Sequence, residues 1–223
     1  MMFMRILPYN GLNIDSICME IFHGMTFFII FIILMGVCFV SFCIFKSSMF
    51  YSTFLIGAKM VEKFWTLFPM FLLVGMGIPS FFLLYNMEKE SYVFLTFKTI
   101  GRQWYWSYES TDLGNLSFDS YMDTNNNFNR LLEVDNVLSL PYNNSVRLIL
   151  SSSDVLHSWT LPSLYLKADA IPGRLNSFLV KSFFPGSYFG QCSEICGANH
   201  SFMPIHVEFL NWKFFTKWYY SHI

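Results

Sequence analysis

Between Gly190 and Met203 the chain reads "GQCSEICGANHSFM". This short stretch gathers two thiols (Cys192, Cys196), an imidazole (His200), a thioether (Met203) and a carboxylate (Glu194). Thiolate, imidazole and thioether together form a donor set soft enough for copper. Structural zinc more often shows CxxC spacings and no methionine. A mononuclear blue copper site needs one Cys, two His and a weak axial Met. The loop has one Cys too many and one His too few for that. Two thiolates can instead bridge two copper ions, each ion then needing its own imidazole. His200 supplies one, and the second must come from elsewhere in the fold. A small-loop disulfide between Cys192 and Cys196 is the plain rival, but it leaves the neighbouring donors unexplained.

The second half of the chain offers His157, His206 and His222 for that role. His157 stands in "DVLHSW" at the start of an expected strand and is the first choice. His206, in "PIHVEFL", reads as a packing or surface residue, and His222 lies near the C-terminus. Cys18, Cys38 and Cys43 fall in or before an apolar run, where a thiol is an ordinary packing residue.

These donors need a scaffold, and the composition describes one half in lipid. The 223 residues are 54% hydrophobic, 20% aromatic and 13% charged, with 27 Phe. From Met25 to Phe45 and from Phe64 to Tyr85 the chain carries no charge. A hydrocarbon core about 30 Å thick takes ~20 apolar residues as helix, so both runs are long enough to span. Two fully buried soluble helices are the rival, but the remaining residues would have to cover too much apolar surface. The first apolar run is too long, and starts too late, for a signal peptide. No Arg- and Ser-rich presequence opens the chain, which suits synthesis inside an organelle. The connection from Lys46 to Lys63 holds three lysines against Glu62. That excess places it inside and the long C-terminal part outside. Pro69 and Pro79 lie within the second run, which a membrane helix with neighbouring partners tolerates. On spacing alone Glu62 is an interfacial carboxylate beside Lys63.

Three regions result: an N-terminal segment (1–23), a hairpin of two spans (24–90) and an exposed domain (91–223). In the third, "YVFLTFKTIG", "QWYWSYES", "NRLLEVDN", "SVRLILSS", "HSWTLPS", "RLNSFLV" and "PIHVEFL" read as strands. Turn chemistry such as "TNNN", "PYNN", "IPG" and "FPGS" separates them. About seven short strands predict an antiparallel sandwich or barrel, with a helix only in the tail. From Trp104 to Ile223 ten acids face seven bases. That excludes a nucleic-acid face and is compatible with a positively charged soluble partner.

The segments "GQCSEICGANHSFMPI", "DVLHSW", "KADAIPGRLN", "GRQWYWSYE", "LLEVDN" and "VEKFWTLFP" resemble subunit II of mitochondrial cytochrome c oxidase. The likeness runs from about Glu20 to the end, and the cysteine loop is its most specific part. It implies a membrane-anchored fold, a two-helix transmembrane hairpin followed by an all-β cupredoxin-like Greek-key domain carrying the dinuclear CuA centre. By that resemblance His157, Cys192, Cys196, His200 and Met203 are side-chain ligands of two copper ions. Glu194 would give its backbone carbonyl to copper and its side chain to a magnesium ion at the border with subunit I.

The resemblance also implies a mitochondrial inner-membrane protein whose C-terminal domain stands in the intermembrane space. Electrons would come from cytochrome c and pass to the haem/copper subunit, which reduces oxygen to water and pumps protons. Trp104, first of the "WYW" cluster, would be the point where electrons arrive; on pattern alone such alternating aromatics read as core. Glu109, Asp119, Asp135 and Asp154 match acids that dock cytochrome c, and Glu62 lies near the mouth of a proton path. The chain departs from the pattern at Asn115 and Ser153, where many relatives carry acids, and in the shortened "TNNNFN" segment. A copper-free quinol oxidase subunit, a copper chaperone or sensor, and a nitrous-oxide-reductase-type domain are the rivals. The intact donor set opposes the first, the hairpin and "WYW" run the second, and the lack of a large catalytic domain the third.

Overall fold

The computed structural model describes residues 12–46, 58–89, 92–112, 114–124 and 129–222. Arg5, residues 47–57 of the lysine-rich connection and most of the "TNNN" tract lie outside the described residues. The chain divides into two compact units, a helical hairpin and a β domain.

The hairpin comprises α1 (Ile14–Lys46) and α2 (Ala58–Glu88). The first helix begins well before its apolar run because Asn13 caps it. The Asn13 side chain accepts from the Ser16 amide at 2.7 Å, and the Ser16 hydroxyl accepts from the Asn13 amide at 3.0 Å. That reciprocal pair satisfies donors a helix start otherwise leaves open. The second helix continues through both Pro69 and Pro79. Large apolar side chains point outward all round, among them Phe27, Phe39, Phe71 and Phe81. Backbone groups satisfied within the helix and side chains with no polar face are what a lipid surrounding demands.

Among the described residues the β domain contains ten strands and a C-terminal helix. One sheet runs β3-β2-β1-β5-β8, formed by Leu116–Ser120, Tyr105–Ser110, Leu95–Arg102, Val146–Ser152 and Asn176–Val180. A second runs β4-β10-β9, formed by Leu138–Pro141, Pro204–Leu210 and Gly186–Gln191. The pair β6 (His157–Leu161) and β7 (Leu166–Ala170) completes the set. In β5 every second residue, Val146, Leu148 and Leu150, is fully buried, the period-2 signature of a strand with one face on the core. Trp106, Trp159, Tyr108, Phe97 and Phe209 fill that core, with the Trp159 indole donating to the Tyr108 hydroxyl at 3.3 Å. Helix α3 (Trp212–Ser221) closes one end by burying Phe215 and is capped by the Asn211 side chain.

The sandwich is mixed rather than purely antiparallel: β1 pairs with β5, and β4 with β10, in parallel. The "NRLLEVDN" segment is also not a strand. Leu131 takes a left-handed backbone conformation (φ 68°), and Val134 makes one isolated bridge with Met122. Conversely β3, β4, β7 and β9 form from polar or glycine-bearing text that carries little β propensity, because neighbouring strands supply their pairing.

Two contacts tie the sequence's start to the β domain. The Phe183 amide donates to the Leu12 carbonyl at 2.8 Å, and the Asn13 side chain donates to the Lys181 carbonyl at 3.1 Å. Leu12 is buried there.

Candidate metal centre

The site forms where β6 begins and β9 ends. His157 is the first residue of β6, and β9 runs out at Gln191 into the cysteine loop. The Ser193 amide donates to the Ser158 carbonyl at 3.0 Å, pinning that loop to β6. Close approach of the two strands requires glycine at 190: a Cβ there would lie 1.8 Å from the Thr160 carbonyl oxygen. His157 needs the same room from β1, since a Cβ on Gly101 would fall 2.7 Å from its ring.

His157, Cys192 and Cys196 bring their ligand atoms within 4.8 Å of one another, and all three are buried. The other expected donors surround them. Cys192 Sγ lies 3.9 Å from His157 Nδ1 and 3.4 Å from the Glu194 carbonyl oxygen. Cys196 Sγ lies 3.5 Å from His200 Nδ1 and 3.5 Å from Met203 Sδ. His200 sits in a short 3-10 turn, and Met203, nearly inaccessible, leads directly into β10. Both cysteines are free thiols. The structure thus brings His157, Cys192, Cys196, His200, Met203 and the Glu194 carbonyl to one place. His206 and His222 are elsewhere: His206 is buried under Phe189, and His222 caps α3.

Asp154 orients His157. Its Oδ1 lies 2.8 Å from His157 Nε2, while its carboxylate also accepts from the Gln103 and Val155 amides. With Nε2 held, Nδ1 is the nitrogen turned to Cys192. Burial favours a neutral His157, but hydrogen bonds to Cys192 and Asp154 outweigh it and raise its pKa. Burial likewise opposes ionisation of Asp154, and the His157 and backbone bonds reverse that, leaving its pKa lowered. The two thiols are driven apart. Burial opposes ionisation of Cys192, yet contacts from His157 and the backbone of Glu194 and Ser158 bring it down to about 7. Burial, and then the charge on Cys192, push Cys196 up to about 12. Cys192 is therefore the thiol that ionises first, beside a protonated Cys196 at the same buried point, an arrangement that invites a soft cation.

Trp104 is partly buried beside the cysteine loop; a Cβ on Gly197 would lie 3.2 Å from its ring. The remaining residues of interest are away from the centre. Glu109 pairs with Lys98 at 3.1 Å, both side chains being well exposed. Asp119 accepts from the Ser107 hydroxyl at 2.6 Å, which in turn accepts from Arg102 Nε. Asp135 accepts from the Tyr121 and Asn136 amides. Glu62 lies in the first part of α2, where its carbonyl accepts from the Thr66 hydroxyl.

Sequence reading missed Gly101, Gly190 and the inward role of Asp154. A lone glycine in a strand is a weak sign of close backbone approach, and nothing local marks an aspartate that turns toward a histidine three residues on.

Comparisons with known proteins agree with this architecture. Residues 95–210 match the family model for the cytochrome c oxidase subunit II periplasmic domain, and residues 15–83 match its transmembrane domain. Cytochrome c oxidase subunit 2 of Ctenocephalides felis is 45% identical over 223 residues, covering 97% of this chain and 98% of its own. That of Aedes aegypti is 45% identical over 211 residues, covering 92% and 91%. The crystal structure of the periplasmic domain of Bradyrhizobium japonicum cytochrome oxidase subunit II superposes with a TM-score of 0.57 at 42% identity. It covers 59% of this chain and 95% of its own. A second structure of such a domain, solved as a mixed disulfide with a thioredoxin-like protein, gives 0.54 at 41%, covering 60% and 94%.

Proposed function

The chain belongs to the cytochrome c oxidase subunit II family, and on that premise we propose that its cysteine loop and His157 hold the dinuclear copper centre, CuA. It crosses the mitochondrial inner membrane twice, its β domain standing in the intermembrane space. It serves as a non-catalytic electron-transfer component of a multi-subunit oxidoreductase.

One observation carries the copper reading: two buried free thiols, two imidazoles and a thioether converge without a disulfide. The donors fit a pair of soft cations better than one. Each sulfur has its own imidazole, His157 for Cys192 and His200 for Cys196, and the weaker Glu194 carbonyl and Met203 sulfur divide in the same way. Bound there, the two copper ions would supply a one-electron store whose charge spreads over both metals. The protein's part is to hold the donors still. Strands β6 and β10 fix His157 and Met203, the Ser193–Ser158 hydrogen bond fixes the loop, and Asp154 fixes the imidazole orientation.

In this reading electrons arrive from cytochrome c at Trp104 and leave for subunit I, whose haem and copper reduce oxygen to water with proton pumping. Glu109, Asp119, Asp135 and Asp154 give the docking face its negative charge. Lys98 and Arg102 stand among them and weaken that charge. The Glu194 side chain binds magnesium at the border with subunit I, and Glu62 serves the mouth of a proton path.

The test is copper content and the EPR spectrum of the full chain, purified in detergent and loaded with copper. Two coppers per chain, with hyperfine structure shared over both, are expected. Zinc, a single copper or no metal would overturn the assignment.

A further inference from the structure

The turn between β1 and β2 touches both halves of the metal site through one residue. The Gln103 amide donates to Asp154 Oδ2 at 2.7 Å, and Asp154 holds His157. Its side-chain Nε2 donates to the Cys196 carbonyl at 2.7 Å, on the cysteine loop. The same turn is anchored from below, where the Gly101 carbonyl accepts from the Ser153 amide at 3.1 Å and the Ser152 hydroxyl at 3.2 Å. Gln103 is otherwise exposed. A surface residue whose backbone amide and side-chain amide nitrogen both reach one site acts as a strap across it.

What the strap presses down is the neighbouring indole. A Cβ built on Gly197 would lie 3.2 Å from Gln103 Nε2, 3.2 Å from Trp104 Cζ2 and 3.4 Å from Trp104 Nε1. The amide and the indole therefore lie side by side on the one residue of the loop that has no side chain. Gly197 has φ +125°, which favours glycine there on backbone grounds as well. Trp104 Nε1 is buried and has no hydrogen-bond partner among the described residues. No polar contact of its own holds the ring in place. Its position depends on the backbone of the turn and on packing against the loop.

We propose that Gln103 is a positioning residue, whose hydrogen bond to the Cys196 carbonyl keeps the Trp104 indole seated on the metal loop. The electron-transfer consequence rests on the reading of Trp104 given above; the strap itself does not. Without the donor, the turn is held on the Asp154 side alone. The indole then lifts from Gly197, and the distance across which an electron must pass is no longer fixed.

The experiment uses the metal-free full chain in detergent with all six tryptophans replaced by 5-fluorotryptophan. The Trp104 fluorine resonance is assigned by its loss in Trp104→Phe. In Gln103→Met, which matches the length but cannot donate, that resonance alone should move toward the solvent-exposed position. In Gln103→Lys, which restores a donor of sufficient reach, it should return. An unmoved resonance in Gln103→Met overturns the proposal, and so does an equal displacement in both variants. In the assembled oxidase, Gln103→Met should lower kcat about tenfold at unchanged KM for the reduced cytochrome, with Gln103→Lys recovering kcat. A rise in KM alone would make Gln103 a docking contact and overturn the positioning role. The fluorine measurement contains no copper, so failure of the copper assignment would appear in the EPR experiment and leave the strap separately testable.

Discussion

Asp154 Oδ1 and His157 Nε2 lie 2.8 Å apart, and the contact leaves Nδ1 as the ring nitrogen directed at Cys192. A carboxylate that would otherwise count only as surface charge thus sets the orientation of a buried imidazole. Asp154→Asn should weaken metal retention by about 10–100-fold, the usual cost of losing such a partner. Competition against a chelator measures this. Asp154→Glu should recover less than half of the loss, because its longer stem misplaces the oxygen; full recovery would show that charge alone matters.

Two glycines should fail in different ways. Gly101→Ala drives a methyl group into the His157 ring at 2.7 Å, so copper binding should be lost while the domain still melts cooperatively. Gly190→Ala drives one into the Thr160 carbonyl oxygen at 1.8 Å, which no side-chain rotation relieves. The second change should destabilise the fold by about 3 kcal/mol or more. Thermal unfolding monitored by near-UV circular dichroism, beside copper content, separates the two outcomes.

Acid should weaken the β domain through His206. Its ring is buried against Phe189, with Glu133 Oε2 3.4 Å from Nδ1 but out of hydrogen-bond alignment, and Glu208 nearby on β10. Burial dominates and brings its pKa down to about 4, against 6.5 in the unfolded chain. Above pH 6.5 both states are neutral and nothing is lost. As the pH falls from 6.5 to about 4 the unfolded state binds the proton and the folded state does not. About 3 kcal/mol of stability should disappear across that window. Urea unfolding of the metal-free chain at pH 7 and pH 4.5 should show the loss, and His206→Gln should remove most of the difference.

Trp104→Phe should slow electron arrival on the order of tenfold while two coppers stay bound, since the indole lies against the loop but supplies no ligand. Stopped-flow reduction by the cytochrome, with copper content measured in parallel, checks both halves. An unchanged rate would remove Trp104 from the path.

Much of the site was legible in the sequence because its donors are chemically unusual. Cys192, Cys196, His200 and Met203 stand within twelve residues, and the distant member of the candidate site, His157, begins a strand that the sequence marks. The two spans were legible for the same reason: length and apolarity are local properties. What escaped was set by partners distant in the chain. Strand β9 has only Tyr188 and Phe189 as strand formers between two glycines, and β10 pairs with it along Gly186–Gln191. The "NRLLEVDN" segment has strand-like residues but continues no sheet, and Leu131 turns it aside. Gln103 carries no sign of its role until folding sets the Cys196 carbonyl, 93 residues later, within its reach.

The hydrogen bonds that join Leu12 and Asn13 to Phe183 and Lys181 have a consequence for biogenesis. At roughly 5–20 residues per second, a ribosome needs about 10–30 s to travel from the first pair to the second. Leu12 and Asn13 are therefore made well before their partners, which for Asn13 lie 168 residues later in the chain. The same hydrogen bonds require residues 12 and 13 to emerge on the side that holds the β domain, so a chain whose first span alone were reversed would lack them.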